Sequence, residues 1–283
     1  MAATTSTTTA TAPAPATAQA TAPATATAPA TVPATAPAPA TVPATAPTTS
    51  TAPATAPATA TSPATATVIG ATGLIGGHLA ELLSKDDHFR KVRLITRRIP
   101  EAVPQGAEVV VIDFDDQDAF RSAVDGSDAV FCAVGTTRKK VKGDMVAYRK
   151  VDRDIPVNAA QHCLETGCRH FSLVSSVGAS AKSSNFYLKF KGEAEEAISG
   201  MGIPSVSVFR PSMLMGTRNE FRLAEEITKK FASPLSFLFP AKYRPVKGLD
   251  VARAMIAAAK LEEPGFRVYH FKEMMALVSS RKA

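Results

Sequence analysis

The chain has 283 residues, of which 45% are hydrophobic, and it carries a formal net charge of +7. It contains no run of about 18 apolar residues, so its composition excludes a membrane-spanning segment. Its three cysteines lack the paired spacing of a zinc site, so we predict that the protein binds no metal and resides in a reducing compartment. We expect Cys163 and Cys168 to be packing or surface thiols rather than a redox pair.

Residues 1–66 form the first segment, which is almost entirely Ala, Thr and Pro and has no charged side chain. Such a stretch has few large apolar groups to bury, and its prolines remove backbone donors, so burial does not offset the entropy of ordering. We therefore predict a disordered low-complexity tail, followed by one domain at 67–283 that carries all of the formal charge.

The tail also bears on the cellular compartment. It lacks the basic start and the continuous apolar core of a secretory signal, and it lacks the arginines in which a mitochondrial presequence is rich. We expect a cytoplasmic protein, with mitochondrial association as the alternative.

Short β-rich runs alternate with helical patterns through the domain. Near-continuous apolar strands separated by helices predict a parallel sheet that is covered on both faces. The predicted strands are 66–70, 91–96, 107–114, 128–134, 169–176, 205–211 and 266–271, and the helical segments are 74–84, 116–126, 147–167, 191–202 and 245–260. The expected fold is a doubly wound, Rossmann-type α/β domain with a small C-terminal substrate-side portion, and its ligands should lie at the carboxyl ends of the strands.

The first predicted strand runs directly into GATGLIGG, in which Gly70, Gly73 and Gly76 have the spacing of a dinucleotide-binding loop. Gly70 permits a tight turn, Gly73 lets the backbone approach a pyrophosphate, and Gly76 lets helix and strand pack closely. The helix that follows offers free N–H groups to the phosphates. Because the loop stands between the first strand and the first helix, it predicts dinucleotide binding.

The end of the second strand indicates which dinucleotide binds. An NAD site usually has Asp or Glu there, whereas this chain has Arg97 and Arg98, whose guanidinium groups match a 2′-phosphate. NADP(H) is therefore favoured over NAD(H), with a solvated surface pair as the alternative reading of the two arginines. Further cofactor contacts are expected after the third and fourth strands, from Asp113, Phe114, Val134 and Gly135.

The fifth predicted strand ends in two serines, Ser175 and Ser176, and the next helix carries Tyr187 and Lys191 four residues apart. At that spacing the phenol and the ammonium group lie on one helical face. A phenol beside a cation is suited to exchanging a proton with a carbonyl oxygen during hydride transfer. This arrangement resembles the short-chain dehydrogenase/reductase superfamily.

The resemblance narrows to one family when further blocks are included. These blocks are LITRR, CAVGTTR, VDRD, HFSLVSS, KSSNFYLKFKGEAE and SVFRPSML, and together they resemble the Tat-interactive protein family of atypical short-chain dehydrogenases over nearly all of residues 67–272. The resemblance implies Tyr187 as general acid/base and Lys191 as the cation that favours the ionised phenol and holds the nicotinamide ribose. It implies Ser176, or alternatively Ser175, as the hydroxyl that orients the carbonyl. The NADPH contacts that it implies are Thr72, Gly73, Leu74, Ile75, Arg97, Arg98, Tyr187, Lys191, Leu214 and Arg222.

Several charged residues outside this set are expected to be structural. We expect Asp152 and Asp154 to pair with Arg149 or Arg153 on a solvated face, with support of an active-site water chain as the alternative. A solvated basic edge is likewise expected from Arg138, Lys139 and Lys140.

Two functions are compatible with these predictions. The leading one is an NADPH-dependent oxidoreductase that acts on a small carbonyl or alcohol. The alternative is an NADPH-sensing regulatory protein that binds a protein partner with little turnover, which the family resemblance keeps open. Nucleic-acid binding is not expected, because the basic residues are not interleaved with aromatic ones. Both a monomer and a homodimer are compatible with the sequence, which does not identify the substrate.

Overall fold

The structure is a computed structural model that describes residues 64–215 and 244–280. The predicted tail therefore lies outside the described residues except for its last three, which belong to the first strand, β1 (Ala64–Ile69). Ala64 and Ala66 are buried, and Thr65 N donates to Asp128 Oδ2 at 2.8 Å. The sheet thus includes three residues that composition had assigned to the tail.

Seven parallel strands form the main sheet, as predicted. After β1 the strands are β2 (Phe89–Thr96), β3 (Ala107–Val111), β4 (Ala129–Cys132), β5 (His170–Val174), β6 (Ser205–Phe209), the two-residue strands β7 (Leu214–Met215) and β8 (Val246–Lys247), and β9 (Gly265–Tyr269). The order in the main sheet is β3-β2-β1-β4-β5-β6-β9, while β7 and β8 pair separately. Because the order reverses between β1 and β4, the carboxyl ends of these two strands border the crevice where doubly wound folds bind ligands.

Helices cover both faces of the sheet. They are α1 (Leu74–Leu83), α2 (Gln117–Val124), α3 (Met145–Arg149), α4 (Ile155–Glu165), α5 (Phe186–Ser199), α6 (Gly248–Leu261) and α7 (Phe271–Ser280). Leu79 and Met255 belong to the core on one face, and Phe120 and Phe171 belong to the core on the other. None of the helices in the described ranges is long and apolar enough to cross a bilayer.

A π-helical turn at Lys150–Asp154 joins α3 to α4, where the sequence predicted one uninterrupted helix. Pro156, at the start of α4, has no N–H to donate to a carbonyl one turn earlier, so the regular hydrogen-bond ladder is interrupted here. Asp152 lies inside this turn and is completely buried.

Two local expectations are wrong. The third strand ends at Val111 instead of residue 114, because the carboxylate of Asp113 accepts a hydrogen bond from Asp115 N at 3.0 Å and forms a turn. Cys163 and Cys168 are buried and paired as a disulfide, since the turn between α4 and β5 brings their Cα atoms to 4.8 Å. The remaining cysteine, Cys132, is free and buried.

Candidate functional site

The glycine loop has the backbone shape that close approach to a pyrophosphate requires. Gly70 has a φ of +92°, and a Cβ at this position would lie 2.8 Å from the carbonyl oxygen of Ala133, just after β4. A Cβ on Gly76 would lie 2.1 Å from the carbonyl oxygen of Gly70. Glycine is therefore required at both positions, and α1 packs directly against the end of β1.

The first turn of α1 offers amide groups beside this loop. Gly73 is the N-cap residue, and its amide donates to Gly70 O at 2.9 Å. Within the described ranges no side chain caps this helix, and its first turn contains no acidic residue. The amides of Leu74 and Ile75, with the exposed Thr72 beside them, therefore carry partial positive charge of the kind that suits a phosphate.

Two cations follow the end of β2. Arg97 and Arg98 are exposed, and neither has a carboxylate partner in the part of the chain that the structure describes. Since β2 is paired with β1, both arginines lie beside the glycine loop on the side where doubly wound folds place the adenosine ribose. Their exposure suits a 2′-phosphate site and equally a solvated pair.

The other predicted cofactor contacts differ in their burial and in the hydrogen bonds that they already make. Phe114 is buried with its ring 4.9 Å from that of Phe120, so it is part of the core. Asp113 is exposed, although its carboxylate already holds the turn after β3. Val134 and Gly135 follow β4 at the crevice, and Gly135 is exposed.

The segment after β6 is described only as far as residue 215. Leu214 lies in β7, pairs with Val246 in β8, and is partly buried against the core beside α1 and α6. Arg222, which the family resemblance assigned to NADPH, lies outside the described residues.

The start of α5 places the predicted catalytic pair. Asn185 caps the helix by accepting hydrogen bonds from Tyr187 N at 3.0 Å and Leu188 N at 3.3 Å. Tyr187, which is half-buried, and Lys191 then lie one turn apart on the same helical face. A Cβ on Gly192 would lie 2.1 Å from the carbonyl carbon of Ser180, so α5 packs closely against the loop after β5.

Lys191 is buried at the centre of the site. Its Nζ lies 3.2 Å from Asp152 Oδ1, and it donates at 3.2 Å to the carbonyl oxygens of Val134 and Val174. Two of the three donors of the ammonium group therefore bind strand-end carbonyl oxygens, and its charge faces the carboxylate of Asp152. Because the two valines end the β4 and β5 regions, the lysine joins the carboxyl ends of neighbouring strands.

Asp152 is the partner that sequence reasoning assigned wrongly. It is completely buried, its Oδ2 accepts a hydrogen bond from Thr136 N at 3.0 Å, and its Oδ1 faces the lysine ammonium without an aligned hydrogen bond among the described residues. The π-helical turn places it inside the protein, whereas a regular solvated helix face was expected. Asp154 pairs as predicted, because its Oδ1 lies 2.7 Å from Arg153 Nη1 and 3.9 Å from Arg149 Nε.

The two candidate serines have different partners. Ser175 Oγ donates to Glu195 Oε1. Both carboxylate oxygens of Glu195 also accept from Arg210 Nε, each at 3.1 Å. Ser176 Oγ makes a 3.4 Å contact with the carbonyl oxygen of Val177 and no shorter one within the described ranges. Ser175 is therefore held by Glu195, whereas the Ser176 hydroxyl has no short hydrogen bond among the described residues.

A second tyrosine, which sequence reasoning did not single out, adjoins this site. Tyr148 is buried on α3, donates to Thr136 O at 3.1 Å, and packs its ring edge-on against that of Phe186 at 5.1 Å. Burial, then the charge of Asp152 and the neighbouring Tyr187, raises the pKa of Tyr148 well above its ordinary range. Tyr148 therefore stays protonated and acts as a hydrogen-bond donor. The sequence signal that could have identified it is its position one helical turn before Asp152.

Comparison with known proteins agrees with this geometry. A family model described as NAD(P)H-binding matches residues 70–261. The chain is 36% identical over 192 residues to Protein HTATIP2 of Rattus norvegicus, which covers 67% of this chain and 78% of that protein. It is 30% identical over 225 residues to Protein FMP52-1, mitochondrial, of Scheffersomyces stipitis, which covers 74% of this chain and 96% of that protein.

A solved structure supports the fold. MoeE5 in complex with UDP-glucose and NAD is similar with a TM-score of 0.56 and 17% identity, over 77% of this chain and 81% of that chain. The family match and the level of identity confirm the resemblance that the sequence blocks indicated. This chain belongs to the NAD(P)H-binding Tat-interactive protein family of atypical short-chain dehydrogenase/reductases.

Proposed function

We propose that this protein is an NADPH-dependent oxidoreductase that interconverts a small carbonyl compound and its alcohol. The observation that carries the proposal is the buried ammonium group of Lys191, which Asp152 and two strand-end carbonyls hold one helical turn from Tyr187. A fixed cation beside a phenol favours its ionised form and so assists proton exchange with an alkoxide. Bound NADPH would supply the hydride.

Each protein group has a distinct role in this proposal. Tyr187 protonates the carbonyl oxygen during reduction and accepts the alcohol proton during oxidation. Ser176 donates a hydrogen bond to the same oxygen and orients it. Lys191 is the cation one helical turn from the phenol, and its contact with Asp152 keeps it in one place.

The preference for NADP(H) over NAD(H) is also part of the proposal. Its support is the pair of exposed arginines, Arg97 and Arg98, at the position where NAD sites usually have an acidic residue. The family model covers both nucleotides, and the NAD in the MoeE5 complex is a property of that protein.

The test is a fluorescence titration of the full chain with NADPH and NADH, followed by carbonyl-dependent oxidation of the bound NADPH. We expect tighter binding of NADPH and turnover with at least one small aldehyde or ketone in a broad panel. Equal affinity for both nucleotides would contradict the NADP preference, and failure to bind either would contradict the whole proposal.

A second candidate is an NADPH sensor that binds a protein partner with little turnover. One observation favours it: Lys191 already donates to two strand-end carbonyl oxygens and faces Asp152 Oδ1 at 3.2 Å, so a ribose hydroxyl would compete with these three oxygens for the ammonium group. Tight NADPH binding without turnover on the same panel would favour this candidate.

The cytoplasmic location stays a prediction. The fungal relative named above is called mitochondrial, which makes the compartment worth testing directly. Fractionation of cells that express the full chain would place it, and recovery with intact mitochondria would favour the alternative.

A further inference from the structure

We propose that the protein docks on membrane surfaces that are rich in anionic phospholipids, through a basic patch beside the mouth of the site. The patch consists of a basic loop, residues 138–142, and two apolar residues at the start of α3, Met145 and Val146. The proposed oxidoreductase reaction does not use it, and docking requires no turnover.

Three cations of the basic loop lie outside any ion pair among the described residues. The only carboxylate between residues 138 and 146 is Asp144, which caps α3 by accepting from Val146 N at 2.8 Å and Ala147 N at 3.1 Å. Within the described ranges no carboxylate pairs with the side chains of Arg138, Lys139 or Lys142. The exposed cations of the loop are Arg138, Lys139, Lys140 and Lys142.

Backbone hydrogen bonds hold the basic loop in a compact series of turns. Lys140 N donates to Thr137 O, Gly143 N to Arg138 O, and Asp144 N to Val141 O, each at 2.9 Å. A loop that is already folded presents its charges together, so binding costs less conformational entropy than it would for a flexible basic tail.

An exposed apolar side chain follows the basic loop along the chain. Val146 is 80% exposed, and with Met145 it borders a cleft of about 450 Å³ whose walls include Ile155 and Phe190. A single exposed valine is ordinary on a protein surface, but cations next to exposed apolar side chains are the combination that binds the headgroup region of a bilayer.

The same surface is poorly suited to nucleic acid. Proteins that bind single-stranded nucleic acid stack bases on aromatic side chains, and residues 138–146 contain none. The neighbouring Tyr148 is buried and donates to Thr136 O. Anionic lipid is therefore the partner whose chemistry matches both the charges and the apolar side chains.

The patch is tied to the site through Thr136. The amide of this residue donates to Asp152, and its carbonyl oxygen accepts from Tyr148, so the basic loop begins at a fixed point after β4. Docking would turn the carboxyl ends of the strands towards the membrane and would admit carbonyl compounds dissolved in the bilayer. This last consequence rests on the proposed function, whereas docking itself does not.

The experiment is vesicle flotation of the full chain with phosphatidylcholine alone and with phosphatidylcholine mixed with phosphatidylserine. We expect binding to the mixed vesicles only, and it should weaken as salt is added. The double variant Lys139→Glu/Lys142→Glu should weaken binding by at least about 25-fold, because each of the two lost cations contributes about five-fold and the new carboxylates repel the anionic surface. Val146→Ser should weaken it about five-fold by removing apolar contact.

A matched control changes the net charge by the same amount elsewhere. Lys85→Glu/Arg90→Glu alters two exposed residues near the start of β2, at the opposite ends of the strands, and should change binding by less than about two-fold. Unchanged NADPH binding in every variant would show that the fold and nucleotide site are intact.

Three outcomes would overturn the proposal. The first is equal binding to both kinds of vesicle. The second is that the control double variant weakens binding as much as Lys139→Glu/Lys142→Glu does. The third is that polyuridylate binds as tightly as the mixed vesicles while Val146→Ser leaves vesicle binding unchanged. None of these readouts depends on turnover, so failure of docking and failure of the proposed reaction are distinguishable.

Discussion

Lys191 Nζ and Asp152 Oδ1 lie 3.2 Å apart in the protein interior, and both side chains are almost wholly buried. Removing two charges from water is costly, and each is tolerated because the other is present. We expect Lys191→Met to lower the free energy of unfolding by about 3–5 kcal/mol, because Asp152 would remain buried without a counter-charge. Urea unfolding of the nucleotide-free protein measures this change.

The control for this prediction lies two residues away. Asp154→Asn alters a half-exposed pair with Arg153 and should cost less than about 1 kcal/mol. The double variant Asp152→Asn/Lys191→Met should recover part of the loss, since it removes both charges. A single Lys191→Met variant as stable as the wild type would show that the pair does not act as described.

Tyr187→Phe should separate turnover from cofactor binding. The change removes the proton donor and keeps the ring, so kcat should fall by about 10²–10⁴-fold. The dissociation constant of NADPH should change by less than about three-fold, because most of the proposed cofactor contacts lie elsewhere. Tyr148→Phe is the comparison: it loses the bond to Thr136 O, at about 1 kcal/mol of stability, and should retain most turnover. Loss of NADPH binding in Tyr187→Phe, with kcat retained, would contradict the assigned role.

Adjacent glycines in α1 offer a matched pair. Gly76→Ala would place Cβ 2.1 Å from Gly70 O, so the loop must move, and we expect a stability loss of about 1–3 kcal/mol and weaker NADPH binding. Gly77→Ala meets its nearest atom, Ala71 O, at 3.5 Å, and the gain in helix propensity should stabilise the protein by up to about 1 kcal/mol. Thermal unfolding and nucleotide titration of both variants check this, and equal effects would argue against the close approach.

Arg97→Ala/Arg98→Ala should reverse the nucleotide preference. Hydrogen bonds to a charged phosphate contribute about 1.5–3 kcal/mol, so we expect NADPH affinity to fall by about 10–100-fold while NADH affinity changes little. Arg90→Ala, at the other end of β2, is the control and should leave both affinities unchanged. An equal loss for both nucleotides would show that the arginines do not recognise the 2′-phosphate.

His170 predicts a loss of stability in mild acid. Its Nδ1 lies 2.9 Å from Ser205 Oγ and its Nε2 lies 2.8 Å from Ser172 Oγ, and burial lowers its pKa from 6.5 to about 4. Between these values the unfolded chain binds a proton that the folded protein does not. Stability should therefore fall as the pH drops from 6.5 towards 4, by about 3 kcal/mol in total.

Urea unfolding across this pH range measures the effect of His170. The variant His170→Gln has no imidazole to titrate, so its stability should depend less steeply on pH over the same range, whatever its absolute stability. Equal slopes for the two proteins would show that His170 contributes nothing to the acid sensitivity.

The sheet and the glycine loop were predictable because their signals are local. Most strands are apolar runs that a helix separates from the next, and all seven predicted runs overlap a strand of the main sheet. Gly70 and Gly76 were identified by spacing, and the structure supplies the steric reason for both.

The interior of the site was less predictable because its contacts join distant segments. Local helical spacing offered Asp152 two arginines, whereas its actual neighbour is Lys191 on α5, and the π-helical turn that buries it follows from Pro156. In the same way, Ser175 looked as free as Ser176 until Glu195 was placed beside it.

The chain crossing from β4 to α5 has a consequence for protein synthesis. Asp152 leaves the ribosome well before Lys191, so the nascent domain holds a carboxylate that has no counter-charge until α5 has emerged. We expect the β4 and β5 region to remain only partly packed on the ribosome, and the final step that closes it is the arrival of a single lysine between two strand ends.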